Sequence, residues 1–257
     1  SAGQPVRLLP ATAPFAAWAG RVHSWAETPA AQEESAFWQD IIERSRAAAT
    51  LHEDGEGFGS NSEAESYTIR TRLSKEETSA LLQKVPAACG TRINDALLTA
   101  LTQSIQNQTG CGSVSLHLEG HGREAHIGGD LDVSRTAGWF TTIFPVCLAL
   151  PAHAGTADRL RSMQQQLNAI PGSGSGFSAL GIKHEAAVLF NYLGRMDSVT
   201  EDSGLFSFAP EPTGPWHSQS AERKYQIEIN AMVTGGELET AWTAGRNLHS
   251  EDSIQLL

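Results

Sequence analysis

The chain is short of positive charge, of cysteine and of long apolar runs. Lysine and arginine total 18 against 29 acidic residues, a formal charge of -11. Phosphates would be repelled by that balance, which argues against a nucleic-acid partner. The acid excess suits solubility, or docking to a partner with basic patches. Three cysteines (Cys89, Cys111 and Cys147) stand far apart. They make no zinc spacing and leave an odd thiol if two pair, which fits a reducing compartment and a cytoplasmic location. No stretch approaches the roughly 18 apolar residues that cross a bilayer, so no membrane partner is expected. Ser1-Ala2-Gly3-Gln4-Pro5 carries neither the charged nor the apolar region of a secretory signal. The chain opens as if in mid-domain, and Ser250 to Leu257 reads as a capped helix that begins and stops. A fragment of a larger polypeptide is expected. No internal repeat is present. Gly172 to Gly176 has the letters of a nucleophile elbow but follows a helical pattern and Pro171 rather than a strand, which disfavours a serine hydrolase.

What is present is an ordinary globular composition, 40% hydrophobic and 18% charged over 257 residues, enough for one large domain or two lobes. Phe15, Trp18, Val22 and Trp25 form a helical stripe over Phe15 to Ala26, and Phe37, Ile41 and Ile42 support a second helix over Glu33 to Arg46. The aperiodic, acidic stretch from His52 to Ser66 reads as a loop or hinge. Its Gly55, Gly57 and Gly59 do not suit phosphate, because acids surround them and no helix start follows. Strands are predicted over Ser66 to Leu73, Ser113 to Glu119, Phe144 to Leu150, Val188 to Leu193, Lys224 to Val233 and Glu237 to Ala244. The last two are joined by Gly235-Gly236, a hairpin signal. Helices are predicted over Ser74 to Val85 with a Ser74/Glu77 capping box, from an Asn94 cap through Leu97, Leu101 and Ile105, and over Ala157 to Ile170. A loop is expected over Gly204 to Ser220. The fold class is α/β (α+β, two-layer), with a mixed sheet of about six strands covered by helices.

Chemistry concentrates in Glu119-Gly120-His121-Gly122-Arg123-Glu124. In the strand before it, Val114, Leu116 and Leu118 alternate with Ser115, His117 and Glu119, so Glu119 projects from the polar face where the chain turns. A carboxylate there suits a general base in a cleft, acting on a carbon acid. A metal site is the alternative: His117, Glu119 and His121 share a face and are zinc-ligand types. Along a straight strand they spread over roughly 13 Å at about 3.3 Å per residue, too far to converge unless Gly120 bends the chain.

Taken in order, several blocks carry a resemblance: Asn94-Asp95-Ala96-Leu97-Leu98-Thr99-Ala100, the Glu119 to Glu124 block, Arg135-Thr136-Ala137-Gly138-Trp139-Phe140-Thr141 with Phe144-Pro145-Val146, Pro171 to Phe177, and Phe190-Asn191-Tyr192-Leu193-Gly194-Arg195. Together they resemble the epimerisation domains of non-ribosomal peptide synthetases, within the condensation-domain superfamily, and the resemblance runs the length of the chain. It implies a chloramphenicol-acetyltransferase-like lobe. Residues 1–54 would be the helical tail of an N-terminal lobe, 55–65 a hinge, and 66–257 the C-terminal lobe, cut short at its end.

The activity implied is inversion of Cα in an aminoacyl or peptidyl thioester. The substrate rides on the phosphopantetheine arm of a peptidyl carrier protein, with no cofactor bound directly and neighbouring synthetase domains as partners. Glu119 is implied as one proton-handling group, with Asn191 and Tyr192 supplying hydrogen bonds near the thioester. His121 and Arg123 would hold the loop, Glu124 would pair with Arg123, and Trp139 and Phe140 would pack against the loop with Gly138 allowing close approach. The family's His-His-x-x-x-Asp motif, whose second histidine faces the glutamate, is absent from this sequence; His52 beside Glu53 and Asp54 does not fit it. The lobe that carries it would be a required partner. A non-catalytic docking remnant, or less readily a condensation domain, are the other readings.

Overall fold

The computed structural model describes residues 9–49, 51–55, 60–196, 211 and 214–257. Gly57, Gly59 and the first part of the Gly204 to Ser220 loop lie outside the described residues.

Helix α1 (Phe15–Ala26) matches its apolar stripe and buries Trp18 and Trp25. Helix α2 (Pro29–Ser45) starts four residues before the periodic pattern does. Thr28 Oγ1 accepts the Ala31 N–H at 3.3 Å and Pro29 occupies the first turn, a start signal independent of hydrophobic spacing. After β1 (Ser66–Arg72), helix α3 (Lys75–Ser79) carries the expected capping box, Ser74 Oγ receiving the Glu77 N–H at 3.2 Å and Glu77 Oε2 receiving the Ser74 N–H at 2.9 Å. It runs on through a wide π-type turn at Ala80–Lys84 into α4 (Val85–Cys89), past the predicted end at Val85. Pro86, which has no N–H to donate to the preceding turn, follows directly on the π-type turn, and Gly90 closes the helix at φ 69°.

Helix α5 (Ile93–Thr109) is not capped by Asn94 as predicted. The cap position is Arg92, whose N–H is taken by Asp95 Oδ2 at 2.6 Å, because an acid in the first turn can reach back to the open amide. Strand β2 (Val114–Gly120), a short α6 (Ala125–Gly128) and β3 (Thr142–Leu148) follow. Then come α7 (Thr156–Asn168), α8 (Ser175–Ala179), β4 (Val188–Arg195), β5 (Ile227–Thr234), β6 (Glu237–Gly245) and α9 (Glu251–Gln255). Gly235 and Gly236 turn the β5–β6 hairpin at φ 61° and 80°, the left-handed pair such a two-residue turn demands.

The six strands form one sheet in the order β1-β6-β5-β4-β2-β3. The β1/β6 and β6/β5 pairs are antiparallel, the β5/β4 and β4/β2 pairs parallel. This is the mixed α/β lobe predicted. By compactness the chain divides into two units: residues 1–38, 120–144 and 171–182, and residues 39–119, 145–170 and 183–257.

In the first unit Trp38 is fully buried, with ring centroids 5.3 Å from Phe177 and 6.1 Å from Phe144. A second cluster joins Trp18, Trp25, Ala31, Ile127, Val133 and Phe140. In the second unit the core is the apolar strand face (Val114, Leu116, Val188, Phe190, Ile227 and Ile229) with Leu98, Leu101 and Ile105 of α5. Removing the Trp38 ring leaves a large void, so Trp38→Ala is expected to cost about 3–5 kcal/mol by chemical denaturation and Trp38→Phe clearly less.

Candidate functional site

Alternation in β2 puts Ser115, His117 and Glu119 on one face and the buried Val114, Leu116 and Leu118 on the other. The parallel register His117↔Leu189 and Leu118↔Phe190 then sets which β4 side chains share the Glu119 face. Asn191 does, and its Nδ2 donates to Glu119 Oε2 at 2.8 Å. One strand further, Leu189↔Glu228 and Asn191↔Asn230 bring Glu228 and Asn230 onto that face. Burial, and after it the Glu228 carboxylate, push the Glu119 pKa above the ordinary glutamate value. Glu228 has Arg223 Nη2 at 3.5 Å from its Oε1. Neither Glu228 nor Arg223 stands out in the sequence, where each is one charge in an alternating strand or the loop before it.

Tyr192 goes elsewhere. It pairs with Ala231 in the buried set of β5 and lies on the face opposite Asn191 and Glu119. Of the two residues expected to supply hydrogen bonds near the thioester, Asn191 shares the Glu119 face and Tyr192 does not. Burial raises the Tyr192 phenol pKa, with Arg195 opposing.

His117 is 2% exposed. Its Nδ1 lies 2.9 Å from Tyr225 Oη and its Nε2 lies 3.0 Å from His184 Nδ1. Burial first, then His184 and Lys224, lower its pKa to about 4, so the ring is neutral at physiological pH. Burial and the Glu119 and Glu228 carboxylates raise Tyr225 to about 12. Partners 67 and 108 residues away in the chain could not be read from spacing.

In the first unit, His121 and Arg123 brace their own loop. The Arg123 guanidinium donates to the Val133 carbonyl and, at 2.9 Å, to the Thr136 carbonyl, and it lies 3.7 Å from the Phe140 ring centroid. Glu124 does not pair with Arg123 as expected: its Oε1 meets His121 Nε2 at 3.1 Å, while Arg123 is taken by carbonyls. His121 Nδ1 also accepts the Arg123 N–H at 3.0 Å. Phe140 is buried, but Trp139 is 83% exposed and does not pack on the loop. Gly138 lies under the Phe15 ring, which a Cβ would meet at 2.5 Å. Gly122 has φ 70°, and a Cβ there would run into the Phe140 carbonyl.

The zinc alternative requires His117, Glu119 and His121 to converge, and each has different partners. No group of three His, Cys, Asp or Glu side chains able to hold a metal occurs among the described residues. Nor is any described helix long and apolar enough to cross a membrane.

Two outcomes follow from this geometry. The Glu119 carboxyl, followed by NMR, is expected to titrate above the ordinary glutamate range, and Glu228→Gln to lower that titration by removing a like charge; an unmoved titration in Glu228→Gln contradicts the assignment. Gly122→Ala combines a disfavoured φ with a backbone clash and is expected to destabilise by about 3 kcal/mol in thermal or chemical unfolding.

The family profile described as "Condensation domain" matches residues 1–257. Chondramide synthase cmdD of Chondromyces crocatus is 38% identical over 265 residues, 100% of this chain and 7% of that protein. Bacitracin synthase 3 of Bacillus licheniformis is 32% identical over 262 residues, 98% of this chain and 4% of that protein. The chain thus spans less than a tenth of the length of these relatives. Among solved structures, the epimerization domain from the third module of tyrocidine synthetase B superposes with a TM-score of 0.88 at 29% identity, covering 98% of this chain and 58% of that one. The EpoB cyclization-docking bidomain of Sorangium cellulosum, at 15% identity and a TM-score of 0.64 over 93% of this chain and 48% of that one, shares the fold. The chain belongs to the condensation-domain family of non-ribosomal peptide synthetases.

Proposed function

We propose that this chain is part of an epimerisation domain, inverting the Cα of an aminoacyl or peptidyl thioester held on a carrier protein's phosphopantetheine arm. The observation that carries the reading is the Glu119 carboxylate, half-buried, raised in pKa and held by a neutral amide, Asn191, at 2.8 Å. The 0.88 superposition on an epimerization domain supports it.

The chemistry asks for such a group. A thioester acidifies its Cα–H because the enolate is well stabilised, and a base with a raised pKa is matched to removing that proton near neutral pH. The Cα–H bond breaks, its electron pair passes into the enolate, and the proton goes to Glu119 Oε. Asn191 fixes one carboxylate oxygen and leaves the other free. Inversion then needs a proton delivered to the opposite face. In the family this sequence resembles, that group comes from a His-His-x-x-x-Asp motif, which residues 1–257 lack, so a second lobe is a required partner in the proposal. Because Glu119 acts as its anion, the rate is expected to rise with pH through the raised carboxyl pKa rather than through the ordinary glutamate value.

The test is Cα deuterium exchange and inversion on an aminoacyl-thioester carrier, with this chain alone and within a domain that includes the upstream lobe. Exchange is expected in the complete domain only, and Glu119→Gln is expected to lower it by a factor on the order of 10²–10⁴. Unchanged exchange in Glu119→Gln overturns the assignment of the base. Amide formation without Cα exchange would assign condensation instead, and carrier binding with neither reaction would make the lobe a docking element.

A further inference from the structure

Three side chains lie in file through His117, which shares the Glu119 face of β2, and the role of Glu119 does not use them. Tyr225 Oη is 2.9 Å from His117 Nδ1, and His117 Nε2 is 3.0 Å from His184 Nδ1. His184, half-buried, lines a cavity of about 290 Å³ with Ser45, Arg46, Ser115, Glu185 and Ala187. Ser115 is on the same lining, and its buried hydroxyl has no hydrogen-bond partner among the described residues. At the other end, Tyr225 is near enough to Glu119 to feel its carboxylate, and His117 in the middle of the file stands two residues from Glu119 on one strand face, about 6.6 Å along the strand.

We propose that Tyr225, His117 and His184 form a proton path between Glu119 and the cavity at His184, through which Glu119 sheds the proton it has taken. The inference rests on the reading of Glu119 as the proton-handling group. A neutral imidazole has one N–H and one lone pair, so the file can be satisfied in two ways. In one, Tyr225 O–H donates to His117 Nδ1, His117 Nε2–H donates to His184 Nδ1, and His184 Nε2–H faces the cavity. In the other every donor is reversed, with His184 Nδ1–H donating to His117 Nε2 and His117 Nδ1–H to the Tyr225 oxygen.

Passing from the first to the second moves one proton the length of the file. A proton leaving Glu119 through a bridging water arrives at the Tyr225 oxygen. The Tyr225 proton passes to His117 Nδ1, the His117 Nε2 proton to His184 Nδ1, and the His184 Nε2 proton to water in the cavity. No charge is left behind and nothing is oxidised; the file ends in the second arrangement, and the Tyr225 hydroxyl and both imidazoles turn over to restore the first before the next proton passes. Two features favour transmission. Lys224, whose Nζ lies 5.2 Å from the Tyr225 ring centroid, helps burial keep His117 neutral, so it can accept and donate at once. His184 pKa is lowered by burial, with Glu185 opposing, so its outer nitrogen releases a proton readily.

The test separates proton abstraction from resetting of the base. In the complete domain with an excess of aminoacyl-thioester carrier, the first turnover uses Glu119 already ionised, and later turnovers need its proton removed. His184→Ala and Tyr225→Phe are therefore expected to keep the first-turnover rate and to lower the steady-state rate on the order of tenfold, giving a burst. Added imidazole, small enough for the cavity, is expected to restore steady-state turnover in His184→Ala and not in Tyr225→Phe. Equal loss in both phases, no loss in either, or no imidazole rescue overturns the path while leaving Glu119 as the base. A wild-type domain without Cα exchange overturns the reading of Glu119 and the path with it.

Discussion

The chemistry proposed for this chain depends on keeping one carboxylate half-buried on the polar face of a sheet and giving it an amide as its partner. Asn191 holds Glu119 without neutralising it, and Glu228, on the same face, opposes its ionisation. A guanidinium in the place of Asn191 would satisfy Glu119 better and lower its pKa, producing an inert ion pair. Basicity is thus maintained by withholding a strong partner. The fold tolerates this because the energetic load is carried by the apolar face of the same strands, where Val114, Leu116, Phe190 and Ile229 are buried.

The register of the parallel strands turns that local choice into a site. One step of slippage between β2 and β4 would move Asn191 to the apolar face and bring Tyr192 beside Glu119. In the first unit, Arg123 satisfies the Val133 and Thr136 carbonyls, Glu124 engages His121, and Gly122 lets the chain pass the Phe140 carbonyl. The Glu-Gly-His-Gly-Arg-Glu block therefore combines Glu119, the proposed proton-handling residue, with four residues, His121 to Glu124, that shape the loop after it.

Local patterns are legible in the sequence and long-range ones are not. The stripe of Phe15, Trp18, Val22 and Trp25 marks α1 to the residue, and Gly235-Gly236 marks its hairpin, since both signals lie within a dozen residues. Alternation places Glu119 on the polar face of β2, but parity alone does not relate β2 to β4, so it cannot tell Asn191 from Tyr192. Asn94 fits a cap by residue type, whereas Asp95 is the side chain that reaches back to Arg92. Trp139 suits packing by residue type and is exposed. The His117, Tyr225 and His184 file requires three remote segments to meet, which no spacing reports.

The central claim is that the raised pKa of Glu119 is the pKa that governs turnover. Its most direct test measures two quantities in one protein, the NMR titration of the Glu119 carboxyl and the pH at which Cα exchange, as kcat/KM, reaches half its maximum. The account predicts that the two coincide, above the usual glutamate range, and move down together in Glu228→Gln. A kinetic midpoint that stays in place while the Glu119 titration moves would contradict it.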